Sequence, residues 1–473
     1  GVFNQIHPHL DDSFTLSHSY GAKVACSIVF VSGRTLKSAL DAELTFPPIR
    51  FLSSFEVDNV MKCVSARGFW GTPRKACWKS ERLGCSLVVP GNEPVVPQID
   101  ESGDTRSASE FFPIGDKTDP KKLANVQSKV DMNQLSHAIE AHFNNSWLHA
   151  RALLVIKDGV VIYEKYGDGA SVDKRQLGWS MTKSWLHTLV GRAIYEGIIP
   201  DGLETKLKLP EWNDDDRSEM KLEQFLRMSD GLDFDEFYVP GADAPNMIFV
   251  EPSITLNGRL KKRTTSGTCF QYSSYTTNLV SRYLKHVFEL ANKAEEYLSF
   301  PTKEFFHQLG MSSAVLETDP QGVFVGSSFG WATARDWGRF GMLYLQDGVW
   351  NGKRLLPEGW VDFTSSPTET SRGWYGAQFW LGPKSNPPTE DEDLIRECDN
   401  VFPSRIKPRR DYLHDAYPQD CYAAGGFEEQ AVIICPRANS VLVRLGATKE
   451  IAVNNRYFWN KTEFYSTVLN ALH

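Results

Sequence analysis

The chain has 473 residues, of which 41% are hydrophobic and 23% are charged, a composition typical of a soluble globular protein. This length predicts one large domain with an extension, or two domains. The sequence contains no apolar run of the roughly 18 residues that a membrane span needs. The net charge of -8, with acidic and basic residues mixed along the chain, argues against a nucleic-acid partner, because phosphate binding needs a basic surface.

The first 125 residues are predicted to form an extension that contains cysteines and is rich in β-structure. Short apolar runs at 26–31 and 85–89, separated by Gly and Pro, predict strands within residues 20–90. Residues 91–125 are rich in Pro, Asp, Ser and Lys, which indicates a linker or a segment lying along the surface. We therefore predict a division into an extension at 1–125 and a main domain at 126–473.

Regular elements begin near residue 131. The pattern predicts a helix at 131–144, a hairpin of strands 152–156 and 160–163 joined through Asp158 and Gly159, a mainly helical region at 180–320, strands at 431–434 and 441–445, and a final helix at 461–472. A helical region between two parts of a sheet predicts an α/β domain with an inserted helical subdomain.

Eight cysteines fall into two groups of four: Cys26, Cys63, Cys77 and Cys85, then Cys269, Cys398, Cys421 and Cys435. The even count favours disulfides and therefore an exported protein, whether secreted or periplasmic, with buried free thiols as the alternative. We predict that the first four pair among themselves, because a small extension has little core of its own. The sequence leaves their three possible pairings open.

The strongest catalytic signal is Ser180, followed three residues later by Lys183 at the start of an amphipathic apolar segment. Residues three apart share a helix face, so the lysine amine can approach the serine hydroxyl and remove its proton. Three other Ser-x-x-Lys sequences, at 171–174, 218–221 and 404–407, have polar surroundings that are typical of a solvated surface.

Two later stretches add to this signal. Tyr272 and Ser274 lie about 90 residues further along, just before a helical run, and a tyrosine hydroxyl beside a lysine can share its proton. The alternative for Tyr272 is a packed aromatic ring. Gly425 and Gly426 precede an apolar strand and let a substrate lie close to the backbone, so that the Phe427 N–H can join that of Ser180 as an oxyanion hole. The alternative there is a plain glycine turn.

In this order the three elements resemble the serine β-lactamase-like superfamily, which includes the penicillin-binding proteins and class C β-lactamases. The family pattern is Ser-x-x-Lys, then Tyr-x-Asn or Tyr-Ser-x, then Lys-Thr-Gly, His-x-Gly or a substitute of small residues. The branch that contains 6-aminohexanoate-dimer hydrolase and related esterases and amidases looks most similar. Further matching stretches lie at 226–238, 330–341, 347–356 and 375–380, and the resemblance covers about residues 131–473.

The resemblance implies an antiparallel sheet flanked by helices, with an inserted all-α subdomain. It also implies an acylated Ser180, a general-base pair of Lys183 and Tyr272, and Phe427 as oxyanion donor, with no cofactor and no metal. Two departures matter: Ser274 replaces the common Asn, and residues 424–426 (Ala-Gly-Gly) replace Lys-Thr-Gly.

Loss of these polar groups predicts poor β-lactamase activity and hydrolysis of a small ester or linear amide, because small apolar residues discriminate weakly between substrates. Selectivity is then expected from aromatic loop residues, and the candidates are Tyr238, Trp374 and Tyr375. The oligomeric state stays open.

Two other hypotheses remain. Ser328 lies in a Gly-x-Ser-x-Gly sequence at 326–330, the pattern of an α/β-hydrolase nucleophile elbow, with Asp399, Asp411 and His414 downstream. Alternatively, the chain is a non-catalytic ligand-binding or scaffold member of the same fold. A metal enzyme has little support, because no His-Glu-x-x-His sequence is present.

Overall fold

A six-stranded antiparallel sheet lies at the centre of the fold. The computed structural model describes residues 8–45, 47–89, 109–167, 169–212, 215–250, 260–385, 391–402, 417–448 and 460–473. Its helices are α1 (Pro8–Phe30), α2 (Leu36–Ala42), α3 (Pro47–Leu52), α4 (Pro120–Gln127), α5 (Met132–Asn144), α6 (Thr182–Tyr195), α7 (Leu222–Leu226), α8 (Asp243–Pro245), α9 (Ser274–Leu290), α10 (Ala334–Leu345), α11 (Trp360–Ser365), α12 (Glu392–Val401) and α13 (Lys461–Ala471).

The strands form four sheets in the described part of the chain. They are β1 (Ser53–Asp58), β2 (Cys63–Gly68), β3 (Arg74–Ser80), β4 (Gly84–Leu87), β5 (Ala150–Lys157), β6 (Val160–Tyr166), β7 (Gln176–Leu177), β8 (Val315–Leu316), β9 (Gly330–Ala332), β10 (Val349–Trp350), β11 (Lys353–Arg354), β12 (Trp380–Leu381), β13 (Tyr422–Gly426), β14 (Gln430–Cys435) and β15 (Ser440–Gly446). Within the described ranges, no helix combines the length and the apolar character that a membrane crossing requires.

The central sheet has the strand order β12-β13-β14-β15-β5-β6, which brings the first and last strands of the main domain together. Side chains alternate between its faces, as the two-residue period of a strand requires. On β5, Leu154 and Ile156 belong to the core on one face, whereas Leu153 and Val155 belong to the core on the other. The sheet is therefore buried on both sides, with α10 against one face and α5 and α13 against the other.

The predicted fold class is confirmed. The hairpin β5–β6 turns through Asp158 and Gly159, both with positive φ, and α5, β14, β15 and α13 lie where the pattern predicts them. Helix α10 lies very close to the sheet at Gly338, where an added Cβ would stand 2.8 Å from Ile156 Cδ1. That close approach explains why a glycine stands inside a helix.

The extension differs from the prediction at its first apolar run. Residues 26–31 were expected to form a strand, but they lie at the end of the 23-residue helix α1 and just beyond it. The reason is that a short apolar run is typical of both a buried strand and a buried helix. Helix α1 is buried because it packs against the antiparallel sheet β1-β2-β3-β4 on one side and the main domain on the other.

All eight cysteines form disulfides, and the first four pair among themselves as predicted. The pairs are Cys26–Cys85, Cys63–Cys77, Cys269–Cys398 and Cys421–Cys435. The first links α1 to β4, and the second joins neighbouring positions of β2 and β3. These two bonds stabilise the extension by restricting its unfolded chain.

Candidate active site

Ser180 lies in a tight 3₁₀ turn, Trp179–Met181, between the short strand β7 and helix α6. The turn is attached to the neighbouring strand β9 by the Gly178 N–H, which donates to the Gly330 carbonyl at 2.8 Å. The residue before Ser180, Trp179, has a φ of +48°. A bulky side chain rarely adopts that left-handed backbone, so surrounding contacts must stabilise the turn that presents Ser180.

The Trp179 side chain is buried and has such contacts. Its indole N–H donates to Glu428 Oε2 at 3.2 Å, and its ring packs against Phe427 and Phe329, each with a centroid distance of 5.8 Å. Glu428 is itself only 5% exposed, so this acidic residue at the end of a strand is buried and not solvated. The turn therefore contacts two distant segments of the chain through one side chain.

Lys183 lies one turn into the helical segment, and its amine contacts Ser180 as the spacing predicts. Its Nζ lies 3.2 Å from Ser180 Oγ, 3.0 Å from Ser274 Oγ and 3.0 Å from the Ser327 carbonyl oxygen. The side chain is 1% exposed. These three contacts hold the buried amine next to the Ser180 hydroxyl.

Ser274 is linked to a carboxylate that sequence reasoning missed, that of Glu236. The Ser274 hydroxyl donates to Glu236 Oε1 and its backbone N–H donates to Oε2, each at 2.7 Å. That N–H belongs to the first residue of α9, where helix N–H groups have no partner within the helix and a negative charge is favoured. The two bonds hold Glu236, Ser274 and Lys183 in one chain of contacts that ends at Ser180.

Tyr272 lies beside the lysine but presents its ring to it. Lys183 Nζ is 4.9 Å from the ring centroid of Tyr272, while its three polar neighbours are the groups named above. The ring stacks on Trp380 at 5.1 Å and meets Tyr375 edge-on at 5.9 Å. The predicted role of Tyr272 as a base partner stays a prediction, and the packing that was weighed against it is present as well.

The end of strand β13 reaches the turn around Ser180 at Gly426. A Cβ added there would lie 2.3 Å from the Gly178 carbonyl oxygen and 3.2 Å from the Ser180 nitrogen, so only glycine fits. Gly425 is restricted as well, because its added Cβ would stand 2.9 Å from Trp380 Cδ1. These close contacts are made to the protein's own backbone and side chains, and the predicted approach of a substrate to these glycines stays a prediction.

A buried arginine stabilises the turn that follows Phe427. Glu428 and Glu429 have φ values of +60° and +66°, which are uncommon for side chains of this size. The Arg444 guanidinium donates to both of their carbonyl oxygens, at 3.0 and 3.1 Å. Arg444 lies on the central strand β15, so the rigid sheet supports the loop that carries the Phe427 N–H.

The aromatic residues predicted to select a substrate fall into two groups. Tyr238 is 54% exposed, and its hydroxyl lies 3.5 Å from Ser274 Oγ, so it reaches the site from solvent. Trp374 and Tyr375 are buried, and Tyr375 supports the ring of Tyr272 from behind. Burial raises the pKa of Tyr375 well above its ordinary value, which keeps its hydroxyl neutral.

The surroundings of Ser328 differ from those of the serine in an α/β-hydrolase nucleophile elbow. The residue is 3% exposed, and its hydroxyl lies 2.9 Å from the Ser327 hydroxyl. In the described part of the chain no histidine or carboxylate bonds to it, and Asp399 is paired with Arg372. Asp411 and His414 lie outside the described residues. The backbone next to Ser328 contacts the Ser180 site instead, because the Ser327 carbonyl accepts a hydrogen bond from Lys183.

The groups that converge are thus an alcohol, an amine and a carboxylate, arranged for proton transfer. Among the described residues, no cluster of three or more His, Cys, Asp or Glu side chains has the arrangement of a metal site. An alcohol next to an amine is an arrangement that suits acyl transfer.

Comparison with known proteins places this constellation in a matched region. The model of the family described as Beta-lactamase matches residues 136–454, which is more than half of the chain. A curated 6-aminohexanoate-dimer hydrolase of Paenarthrobacter ureafaciens is 27% identical over 256 residues, which are 48% of this chain and 63% of that relative. The chain thus matches less than two thirds of that relative's length.

Two solved structures share the fold. One is a proposed 6-aminohexanoate-dimer hydrolase from Bacillus anthracis, with a TM-score of 0.50 and 19% identity, covering 71% of this chain and 81% of that one. The other is a proposed beta-lactamase from Bacteroides dorei, with a TM-score of 0.53 and 16% identity, covering 72% and 99%. At these identities the likeness extends to the fold alone.

Proposed function

Because the chain belongs to the beta-lactamase family, we propose that it is a serine hydrolase that forms an acyl-enzyme on Ser180 and hydrolyses a small ester or linear amide. The observation that carries the proposal is the set of three neighbours around the Lys183 amine. A serine hydroxyl needs a base to become nucleophilic, and Lys183 Nζ is the nitrogen next to it, at 3.2 Å.

The hydrogen bonds around the Lys183 amine support its role as a proton carrier. The Ser327 carbonyl can only accept, and the Ser274 hydroxyl accepts from Lys183 because its own hydrogen is directed to Glu236. The third contact of Lys183 Nζ is with Ser180 Oγ. We propose that this contact is the route by which a proton passes between the serine and the amine.

In the proposed reaction the Ser180 oxygen attacks the substrate carbonyl carbon as Lys183 takes its proton. The resulting ammonium returns that proton to the leaving alcohol or amine when the C–O or C–N bond breaks. Water then attacks the acyl-enzyme as Lys183 takes one of its protons. Lys183 returns that proton to Ser180 Oγ when the bond between this oxygen and the acyl carbon breaks, which releases the acid and free Ser180. General acid–base catalysis of this kind typically contributes about 10²–10⁴-fold to the rate.

We assign Glu236 the role of a positioning residue in this scheme. Its carboxylate keeps the Ser274 hydroxyl oriented so that the oxygen lone pair faces Lys183. It also stabilises the positive charge that forms on Lys183 when Ser180 loses its proton, and the low dielectric of a buried site strengthens that effect. Ser274, which stands where many relatives of the family pattern have Asn, thus has a polar function of its own.

The oxyanion that forms on the substrate is proposed to bind the backbone N–H groups of Ser180 and Phe427. The close approach of Gly426 to the Ser180 nitrogen supports this pair of donors, because it brings the segment that precedes Phe427 next to Ser180. The bonds from Arg444 to the Glu428 and Glu429 carbonyls support a loop that is ordered before substrate binds. Donors held in advance lose little free energy to reorganisation during the reaction.

The proposed substrate class rests on what the cleft offers. Residues 424–426 provide no cation or hydroxyl in place of Lys-Thr-Gly, and the amide of a family Asn is replaced by Ser274. The name of the Paenarthrobacter relative, a hydrolase of a linear amide dimer, points to the same class. We also infer export to an oxidising compartment, which the complete pairing of the eight cysteines supports.

The substrate class is tested by comparing kcat/KM for a p-nitrophenyl acyl ester, a linear aminohexanoyl amide and a cephalosporin on one preparation. We expect turnover of the ester or the amide at least about tenfold more efficient than that of the cephalosporin, since the polar groups that recognise a β-lactam carboxylate are missing. The Ser180→Ala variant is the control for background hydrolysis. A cephalosporin hydrolysed as well as or better than both other substrates would overturn the ester or amide assignment.

A further inference from the structure

Helix α1 contacts the nucleophile turn although it lies outside the region that the family shares, which begins at residue 136. Tyr20 and Lys23 are three residues apart and so lie on one face of α1. The Tyr20 ring is nearly parallel to that of Trp179, with an interplanar angle of 10° and a centroid distance of 6.3 Å. Lys23 Nζ lies 3.8 Å above the ring of Phe329, which itself packs against Trp179.

These contacts bear on a strained residue. Trp179 has a φ of +48°, and a bulky residue keeps such a backbone only where surrounding contacts stabilise it. The main domain provides Phe329, Phe427 and the Glu428 carboxylate around the indole. Tyr20 adds a contact from the extension and also meets Phe249 edge-on at 5.1 Å.

A second set of bonds joins the end of α1 to the strand that enters the turn. The Ser32 hydroxyl donates to the Arg175 carbonyl at 2.7 Å, and the Arg175 guanidinium donates back to the Val31 carbonyl at 3.3 Å. Arg175 directly precedes β7, which leads into the nucleophile turn. The extension therefore contacts this segment on both sides of β7.

A buried carboxylate keeps α1 in register with the main domain. Glu317 forms an ion pair with Lys23 and accepts hydrogen bonds from the Ser27 hydroxyl and the Cys85 N–H, at 2.8 and 2.7 Å. It also accepts from the Trp331 indole at 3.3 Å. Removing one partner of such a buried pair would leave a charge uncompensated. A shift of α1 relative to the main domain would separate the pair and is therefore unfavourable in free energy.

We propose that the N-terminal extension is part of the catalytic machinery, with Tyr20 as a positioning residue that stabilises the left-handed backbone of Trp179 and thereby orients Ser180. This inference rests on the proposed function, since it concerns the nucleophile of that reaction. Tyr20 acts through its ring, because the contact with Trp179 is a ring contact. It is predicted to affect the chemical step and to leave substrate affinity largely unchanged.

The test compares four full-length variants: Tyr20→Ala, Tyr20→Leu, Tyr20→Phe and the control Phe55→Ala. Phe55 belongs to the same extension and packs on α1 at Gly21, where an added Cβ would lie 2.7 Å from its ring. Unlike Tyr20, it has no ring contact with Trp179 in the described part of the chain. For each variant we would measure the melting temperature, the rate constant for labelling of Ser180 by a fluorophosphonate, and kcat and KM for the preferred ester.

We expect Tyr20→Ala and Tyr20→Leu to label and turn over about 10- to 100-fold more slowly with KM within about threefold of the original, because small displacements of a nucleophile have effects of this size. Tyr20→Phe should keep the labelling rate and turnover of the original chain. Phe55→Ala should lose stability but keep the original labelling rate at a temperature well below its melting point. The Leu variant, which retains apolar volume, serves if Tyr20→Ala fails to fold.

Folded Tyr20 variants that label at the original rate, or an equal loss in Phe55→Ala, would overturn the positioning role while leaving the hydrolase proposal intact. An original chain that is not labelled at Ser180 would instead overturn the hydrolase proposal, and the inference with it.

Discussion

Replacing Ser180 by Ala is expected to lower ester turnover by about 10⁴-fold or more, because the covalent centre is removed and not merely weakened. The fold should be unchanged. Ser180 lies in a short helical turn, alanine is a strong helix former, and among the described residues the hydroxyl bonds to Lys183 alone. The measurement is kcat/KM for the preferred ester, with circular dichroism and the melting temperature as checks of folding.

Ser328→Ala is the matched control for this variant. Its hydroxyl bonds to that of Ser327, so its removal should cost some stability and leave most of the activity. Hydrolysis that survives in Ser180→Ala but disappears in Ser328→Ala would transfer the reaction to the Gly-x-Ser-x-Gly segment. Hydrolysis absent from the original chain as well would favour a non-catalytic member of the fold.

Removal of the Lys183 amine is expected to lower kcat by about 10²–10⁴-fold, the usual contribution of general acid–base catalysis. Lys183→Met is the more informative variant, because it retains much of the buried side-chain volume and loses only the amine. Lys183→Ala should show the same loss of activity with a larger loss of stability. A Lys183→Met variant with turnover within about tenfold of the original would exclude the amine as the base.

The contributions of Ser274, Glu236 and Tyr272 to turnover can be distinguished in the same assay. If Ser274 and Glu236 orient the amine, Ser274→Ala and Glu236→Gln should each lower kcat, and each should have little further effect in a Lys183→Met background, since groups that act as a unit are not additive. Tyr272→Phe tests the other partner. A large loss in Tyr272→Phe with full activity in Ser274→Ala would assign proton transfer to the tyrosine hydroxyl and would refute the role of Ser274.

The parts of the site that the sequence predicts are those set by local geometry. Ser180 and Lys183 are three residues apart on a helical segment, so their contact follows from helix periodicity. The hairpin β5–β6 is set by Asp158 and Gly159 in the same local way.

The parts that escaped prediction depend on contacts between distant segments. Glu236 bonds to Ser274 across 38 positions, and no periodicity links a loop carboxylate to a helix start. In the sequence, Arg444 is a single polar residue within an apolar strand. In the structure it is buried and supports the turn after Phe427. Residues 26–31 lie at the end of a helix and just beyond it, not in a strand, because the surrounding sheet and main domain bury this segment on several sides. Tertiary packing alone decides between the two structures.

The proposal that Ser180 is the nucleophile and that Lys183 activates it can be tested directly. The measurement is the mass of the intact chain after incubation with a fluorophosphonate, followed by mapping of the labelled peptide. We expect one adduct per chain, on Ser180, formed rapidly in the original chain and at least about 10²-fold more slowly in Lys183→Met, because a general base is lost. An adduct on Ser328, no adduct on the folded chain, or labelling of Ser180 at an equal rate without the amine would contradict it.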